Sequence, residues 1–144
     1  MNTTITKSFI ETQQFGKVFL QKLNGAHVLA LHGDLGSGKT TFVQGLAQGL
    51  RITQRIISPT FIIMRTYQAN AFGFKYFYHV DLYRIETERD IEGLGLIEIM
   101  EDPENLVVIE WPEKIENLLP ENRVDLFFEY IADDQRKINI LDSL

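Results

Sequence analysis

The sequence predicts an α/β domain, a mixed and largely parallel sheet flanked by helices and carrying antiparallel hairpins. Three observations carry this. Apolar runs of strand length alternate with stretches whose apolar residues recur at helical spacing. The run LVVI at 106–109 is too apolar to face water on either side, the pattern of a parallel strand covered on both faces. Two pairs of β-rich segments, 61–67 with 75–80 and 124–131 with 137–141, are each separated by turn-forming residues, as in hairpins. At 144 residues the chain reads as one domain, 1–144, long enough to bury a core.

The first helix is announced by a capping box, with Ser8 as cap and Glu11 three residues on. Phe15, Val18, Phe19 and Leu23 share one helical face, and Asn24-Gly25 ends the helix because glycine accepts the left-handed stop. Residues 27–31 read as a buried strand, and 40–50 as a helix whose Phe42, Val43, Leu46 and Leu50 face the sheet. The hairpin around NAFGF follows. Thr87 with Asp90 caps a short helix, limited by Gly93 and Gly95, and 96–101 forms a further helical turn before Pro103. After the apolar strand comes a short helix over 112–119, and the terminal hairpin turns at ADDQR.

Charge narrows the function classes. Asp and Glu number 20 against 14 Lys and Arg, a net charge of −6. A broad nucleic-acid surface, which needs many cations on phosphates, is not expected. Arg51, Arg55 and Arg65 lie close in sequence but read as scattered, solvated cations. No apolar run approaches the ~20 residues of a membrane span, and the N-terminal stretch lacks the apolar core of a signal peptide. There is no cysteine for a disulfide or thiolate site. A cytoplasmic protein with no membrane partner is expected.

The segment HGDLGSGKT holds Gly33-x-x-x-x-Gly38-Lys39-Thr40, the P-loop pattern, so the fold is expected to be P-loop NTPase-like. The glycines bring the backbone close to a phosphate and let successive N–H groups form an anion nest. The helix opening near Gly38 adds its positive end. Lys39 reaches the β- and γ-phosphates, and the Thr40 hydroxyl is a hard oxygen ligand suited to Mg2+. Nucleotide contacts are expected along Gly33, Asp34, Leu35, Gly36, Ser37, Gly38, Lys39, Thr40 and Thr41. Asp34 would repel a phosphate if it faced inward, so it is expected to point away. The stretch Asp90 to Gly93 follows charged residues rather than a strand, and no Asn-Lys-x-Asp guanine reader occurs, so ATP is expected rather than GTP.

A P-loop site needs a second carboxylate at the end of a neighbouring strand. Glu110 follows the more buried strand and is assigned to the metal, directly or through a water; Asp81 follows half of a hairpin and is left to orient or deprotonate the attacking water. Asp81 also suits a structural acid that caps a turn or pairs with Arg84. In SPTF, Ser58 or Thr60 can sense the third phosphate or simply form a turn before a strand. Trp111 fits the core, a nucleotide-facing wall or a partner surface. His79 reads as a satisfied strand histidine rather than a ligand, and His27 and His32 carry no site signal.

GDLGSGKTTF, SPTF, HVDLYR and IEWPEK occur in that order in one short chain. Taken together they resemble the TsaE family, also called YjeE: small bacterial P-loop ATPases needed to make threonylcarbamoyladenosine in tRNA. The resemblance covers nearly the whole chain. It implies weak Mg2+-dependent ATPase activity and action on the TsaD–TsaB pair. Hydrolysis there supports repeated threonylcarbamoyl transfer to the adenosine beside the anticodon, and tRNA is met only through the complex. It also implies that Thr40 and Glu110 are the Mg2+ ligands and Lys39 the phosphate lysine. Asp81 and Trp111 are tied to ATPase function, and Thr60 lies in a switch-like element. Ser8 would contribute to the adenine site, and Arg136 would approach the nucleotide.

Two other functions compete with a coupled ATPase. A small-molecule P-loop kinase needs an acceptor pocket and an arginine-bearing lid, where this sequence has a hairpin. A nucleotide-binding scaffold without turnover would keep Gly33, Lys39 and Thr40 but would not need Asp81.

Overall fold

The structure, a computed structural model, describes residues 2–59 and 62–142. Seven strands form one sheet: β1 (Asn2–Thr6), β2 (Val28–His32), β3 (Met64–Ala71), β4 (Phe74–Asp81), β5 (Asn105–Glu110), β6 (Val124–Ala132) and β7 (Gln135–Asp142). Their order across the sheet is β1-β7-β6-β2-β5-β4-β3. The central strands β6, β2, β5 and β4 run parallel to one another. The edges are antiparallel, β3 on β4 at one side and β7 then β1 beyond β6 at the other.

Burial explains the centre. All six residues of β5 are buried, as are Val28 to Leu31 of β2. Alternate residues of these strands feed two cores. On one face Leu29, Leu31, Leu106 and Val108 meet helices α1 (Phe9–Phe19) and α2 (Lys39–Gly49) through Phe19, Phe42 and Leu46. On the other, Val28, Val107 and Ile109 meet α3 (Leu96–Glu101) and the loops around it through Leu82, Leu96, Met100 and Ile115. A strand covered on both faces has no polar side to offer, hence the continuous apolar runs.

Local signals set the ends. Ser8 Oγ accepts the Glu11 N–H at 3.1 Å, and Glu11 Oε1 accepts the Lys7 N–H at 2.9 Å. The capping pair is therefore real, with its return bond made one residue earlier than the standard box. Beyond Phe19 the helix tightens into a 3-10 turn, Leu20–Lys22. The buried face of the helix runs through Thr12, Gly16 and Phe19 and on to Leu20 in the turn, and Val18 lies off it at 37% exposure, so the expected face is corrected at Val18. The capping box at Thr87 and Asp90 holds, over a 3-10 turn, Glu88–Ile91. The expected helix after Trp111 is likewise a 3-10 segment, Pro112–Leu118, kinked at Ile115. Strand β1 had no counterpart in the sequence reading.

Candidate functional site

Three parallel strands deliver their C-terminal ends to one place. The register pairs Leu31 of β2 with Glu110 of β5, and Asp81 of β4 with the same Glu110. Sites of open α/β sheets lie in the crevice beyond the carboxyl ends of the strands. β4 is thus both half of a hairpin and a parallel neighbour of β5, which sets the two acids side by side.

The loop from β2 to α2 has the backbone its glycines predict. Gly33, Gly36 and Gly38 hold φ of 146°, 79° and 106°. At Gly33 an added Cβ would lie 2.7 Å from the Phe128 carbonyl oxygen, and at Gly38 3.2 Å from Arg136 Cγ. A larger residue at Gly33 would strike backbone, and one at Gly38 would crowd the Arg136 side chain in a backbone conformation that favours glycine. Ser37 is buried, and its hydroxyl has no hydrogen-bond partner among the described residues. Asp34 is exposed and meets the loop through its carbonyl, which accepts the Ser37 N–H at 3.2 Å.

Lys39, 4% exposed, donates from Nζ to the Gly33 carbonyl at 2.6 Å. The ammonium sits 3.8 Å from Glu110 Oε1 and 4.4 Å from the centre of the Trp111 ring. Burial lowers the Lys39 pKa below the ordinary lysine value; the nearby Glu110, Asp81, Glu113 and Asp34 carboxylates oppose the shift only in part. Trp111 takes a left-handed backbone, φ 59° and ψ 48°, directly after β5, and its ring also packs on Tyr83 at 5.1 Å.

Glu110 is 5% exposed, and its Oε2 lies 2.6 Å from Nε2 of the fully buried His79. Asp81 is equally sequestered; its Oδ1 accepts the Tyr83 N–H at 3.0 Å, and its own N–H donates to the Ile63 carbonyl at 2.7 Å. So Asp81 does cap a turn, and it also stands beside the site.

A cleft of about 260 Å³ opens over the loop. Lys39, Thr40, Thr41 and Glu110 form its polar wall; Leu35, Gly36 and Gly38 line the loop side. Phe9 and Arg136 complete its lining, with the Arg136 guanidinium 5.8 Å from the Phe9 ring and 4.9 Å from the Tyr130 ring. Arg136 Nη1 also donates to the Asp133 carbonyl at 2.7 Å, which fixes the guanidinium at the hairpin turn. Ser8 spends its hydroxyl on the helix cap, and its neighbour Phe9 is the residue that reaches the cleft. Thr60 lies outside the described residues. Larger clefts of about 510 and 530 Å³ near Ile97 and Leu118 contain no lysine or threonine.

Two features escaped the sequence reading: Phe9, and the contact between His79 and Glu110. An apolar residue directly behind a helix cap was the available signal for Phe9. Elsewhere His32 Nε2 lies 2.8 Å from Asp125 Oδ1 and stacks on Phe127, away from the cleft. Burial alone would raise the Asp125 pKa, but the His32 hydrogen bond and the Arg123 guanidinium hold it below the usual carboxylate value.

Among the described residues no cluster of three or more His, Asp or Glu is grouped to hold a metal. The cleft offers one carboxylate, Glu110, and the hydroxyl residues Thr40 and Thr41 instead, a donor set that suits Mg2+, which keeps several waters and takes one or two protein oxygens beside phosphate. The glycine cradle and the Ser37 hydroxyl, which has no partner among the described residues, suit an anion in the loop.

A glycine-rich loop between a parallel strand and a helix, with a buried lysine and a carboxylate on the next strand, defines a P-loop α/β protein. The family model for the Threonylcarbamoyl adenosine biosynthesis protein TsaE matches residues 6–138, and the chain belongs to that family. It is 40% identical over 128 residues to the tRNA threonylcarbamoyladenosine biosynthesis protein TsaE of Bacillus subtilis, covering 89% of this chain and 77% of that one. The Rickettsia bellii protein of the same name is 38% identical over 141 residues, covering 97% and 94%. The crystal structure of Bacillus subtilis YdiB superposes with a TM-score of 0.71 at 28% identity, over 99% of this chain and 85% of that one.

Proposed function

We propose that the cleft binds ATP with Mg2+ and that the chain is a weak, Mg2+-dependent ATPase. It would act on the TsaD–TsaB pair during threonylcarbamoyl modification of the tRNA adenosine beside the anticodon. The observation that carries this is the meeting of Lys39 and Glu110, 3.8 Å apart at the mouth of the glycine loop, in a chain of the TsaE family.

Each residue has a task. Loop N–H groups from Gly33 to Thr41 bind phosphate oxygens, and Lys39 adds a direct charged contact. Phe9 and Arg136 also line the cleft and offer an aromatic ring and a guanidinium that suit the adenosine part. Thr40 and Glu110 are the ligands for Mg2+, which when bound would neutralise charge on the phosphate oxygens. Asp81 orients the attacking water and takes its proton as the water oxygen bonds to the γ-phosphorus and the bond to ADP breaks. Trp111 helps hold the Lys39 ammonium, which lies 4.4 Å from the centre of its ring. A hairpin, β3–β4, follows α2 where a metabolite kinase would carry a lid, which favours hydrolysis over transfer to an acceptor.

Phosphate release from ATP, measured for the chain alone and with purified TsaD–TsaB and tRNA, tests the reading. Slow release that rises clearly with the partners is expected. Identical rates in both, or phosphate passing to a small-molecule acceptor, would contradict it.

A further inference from the structure

We propose that His79 positions the metal-binding carboxylate: its imidazole anchors Glu110 Oε2 so that Oε1 stays presented to the phosphate cleft. This deepens the Mg·ATP reading and rests on it. His79 sits on β4, paired in register with Val108, two residues before Asp81 pairs with Glu110. The Glu110 side chain therefore leans back along the sheet to reach it.

Three features separate this from a histidine that merely fills the core. The contact is 2.6 Å, at the short end for a hydrogen bond to an ionised acceptor. Among the described residues His79 is the only hydrogen-bond partner of the Glu110 carboxylate, since Lys39 stands off at 3.8 Å. And the geometry sets the tautomer: a carboxylate only accepts, so Nε2 carries the hydrogen, and the buried Nδ1 has no partner among the described residues.

The gap to Lys39 matters most. A free buried ammonium and carboxylate close to ~2.7–2.9 Å. Here each is held by its own anchor, Lys39 on the Gly33 carbonyl and Glu110 on His79. The carboxylate is thereby kept from collapsing onto the lysine, and one oxygen remains available at the cleft. Groups that orient a metal ligand from behind change metal affinity by ~10–100-fold when removed.

The test compares His79→Gln with His79→Asn. A glutamine amide nitrogen reaches the position of Nε2, whereas an asparagine amide nitrogen stops near Nδ1, short of Glu110. ATP affinity is measured by calorimetry in EDTA and across a Mg2+ series, with thermal melts confirming the fold and Glu110→Gln setting the floor. In EDTA the two His79 variants are expected to bind ATP like the wild type, while the Mg2+ needed for half the metal-dependent gain rises ~10–100-fold in His79→Asn and little in His79→Gln. Equal Mg2+ requirements for the two, or losses as large in EDTA as in Mg2+, would overturn the proposal. If His79→Asn does not fold, His79→Gln still decides: a requirement as high as that of Glu110→Gln overturns it, and one near the wild type upholds it. A wild type indifferent to Mg2+ would bring down the metal reading itself, and this proposal with it.

Discussion

Asp81 is a carboxylate that holds a turn and to which the proposed function gives a second, chemical task. Its Oδ1 holds the turn through the Tyr83 N–H, while strand register sets it beside Glu110, where the proposed function needs a base. Asparagine keeps an oxygen for that N–H but is no base. Asp81→Asn is therefore expected to leave ATP affinity near the wild type while phosphate release falls ~10²-fold or more. A parallel collapse of affinity in calorimetry would make Asp81 a structural or nucleotide-binding residue instead. The lysine and the two acids were legible in the sequence because chemistry fixes their spacing or their place at a strand end. His79 was not, because its partner 31 residues away depends on strand register, which one sequence does not display. Ser8 was legible as a cap, and the structure finds the capping role; the reach into the cleft falls to Phe9.

At the scale of elements, the site depends on how α1 lies on α2, because α2 carries Lys39 and Thr40 while α1 carries Phe9. The two helices cross at glycines. A Cβ at Gly45 would fall on the Gln13 carbonyl oxygen, and one at Gly16 on the Phe42 carbonyl oxygen. Helix propensity favours alanine over glycine by ~0.5–1 kcal/mol, but overpacking a tight contact costs ~1–3 kcal/mol. Because the blocking atoms are backbone, the second effect should win. Gly45→Ala is expected to lose about 1–2 kcal/mol in urea denaturation, and a neutral or stabilising change would show that the helices can part freely. Element types followed from periodicity and capping, and most boundaries came within a few residues. β1 was missed because a short, mostly exposed run of threonines owes its strand form to pairing with β7. The turns at Glu88–Ile91 and Pro112–Leu118 were expected as helices, since capping signals mark where a turn starts and not whether it tightens.

Across the whole molecule, strand order decides what the motifs can do together. Placing β5 between β2 and β4 brings the ends of HVD and VIE beside the loop opened by β2, although 29 residues separate the two acids. That juxtaposition was expected in part: the apolar character of β5 pointed to the P-loop strand, but β4 looked like a hairpin alone. The net charge of −6 agrees with the proposal that tRNA contact is left to partners. No described helix is long and apolar enough to cross a membrane. The account stands on phosphate binding by the glycine cradle and Lys39, and titration calorimetry of ATP with Mg2+ into the full chain tests it most directly. A saturable single site is predicted, weakened ~10–100-fold in Lys39→Ala, as loss of a charged hydrogen bond worth ~1.5–3 kcal/mol requires. No saturable heat from the folded wild type, or undiminished affinity in Lys39→Ala, would contradict it.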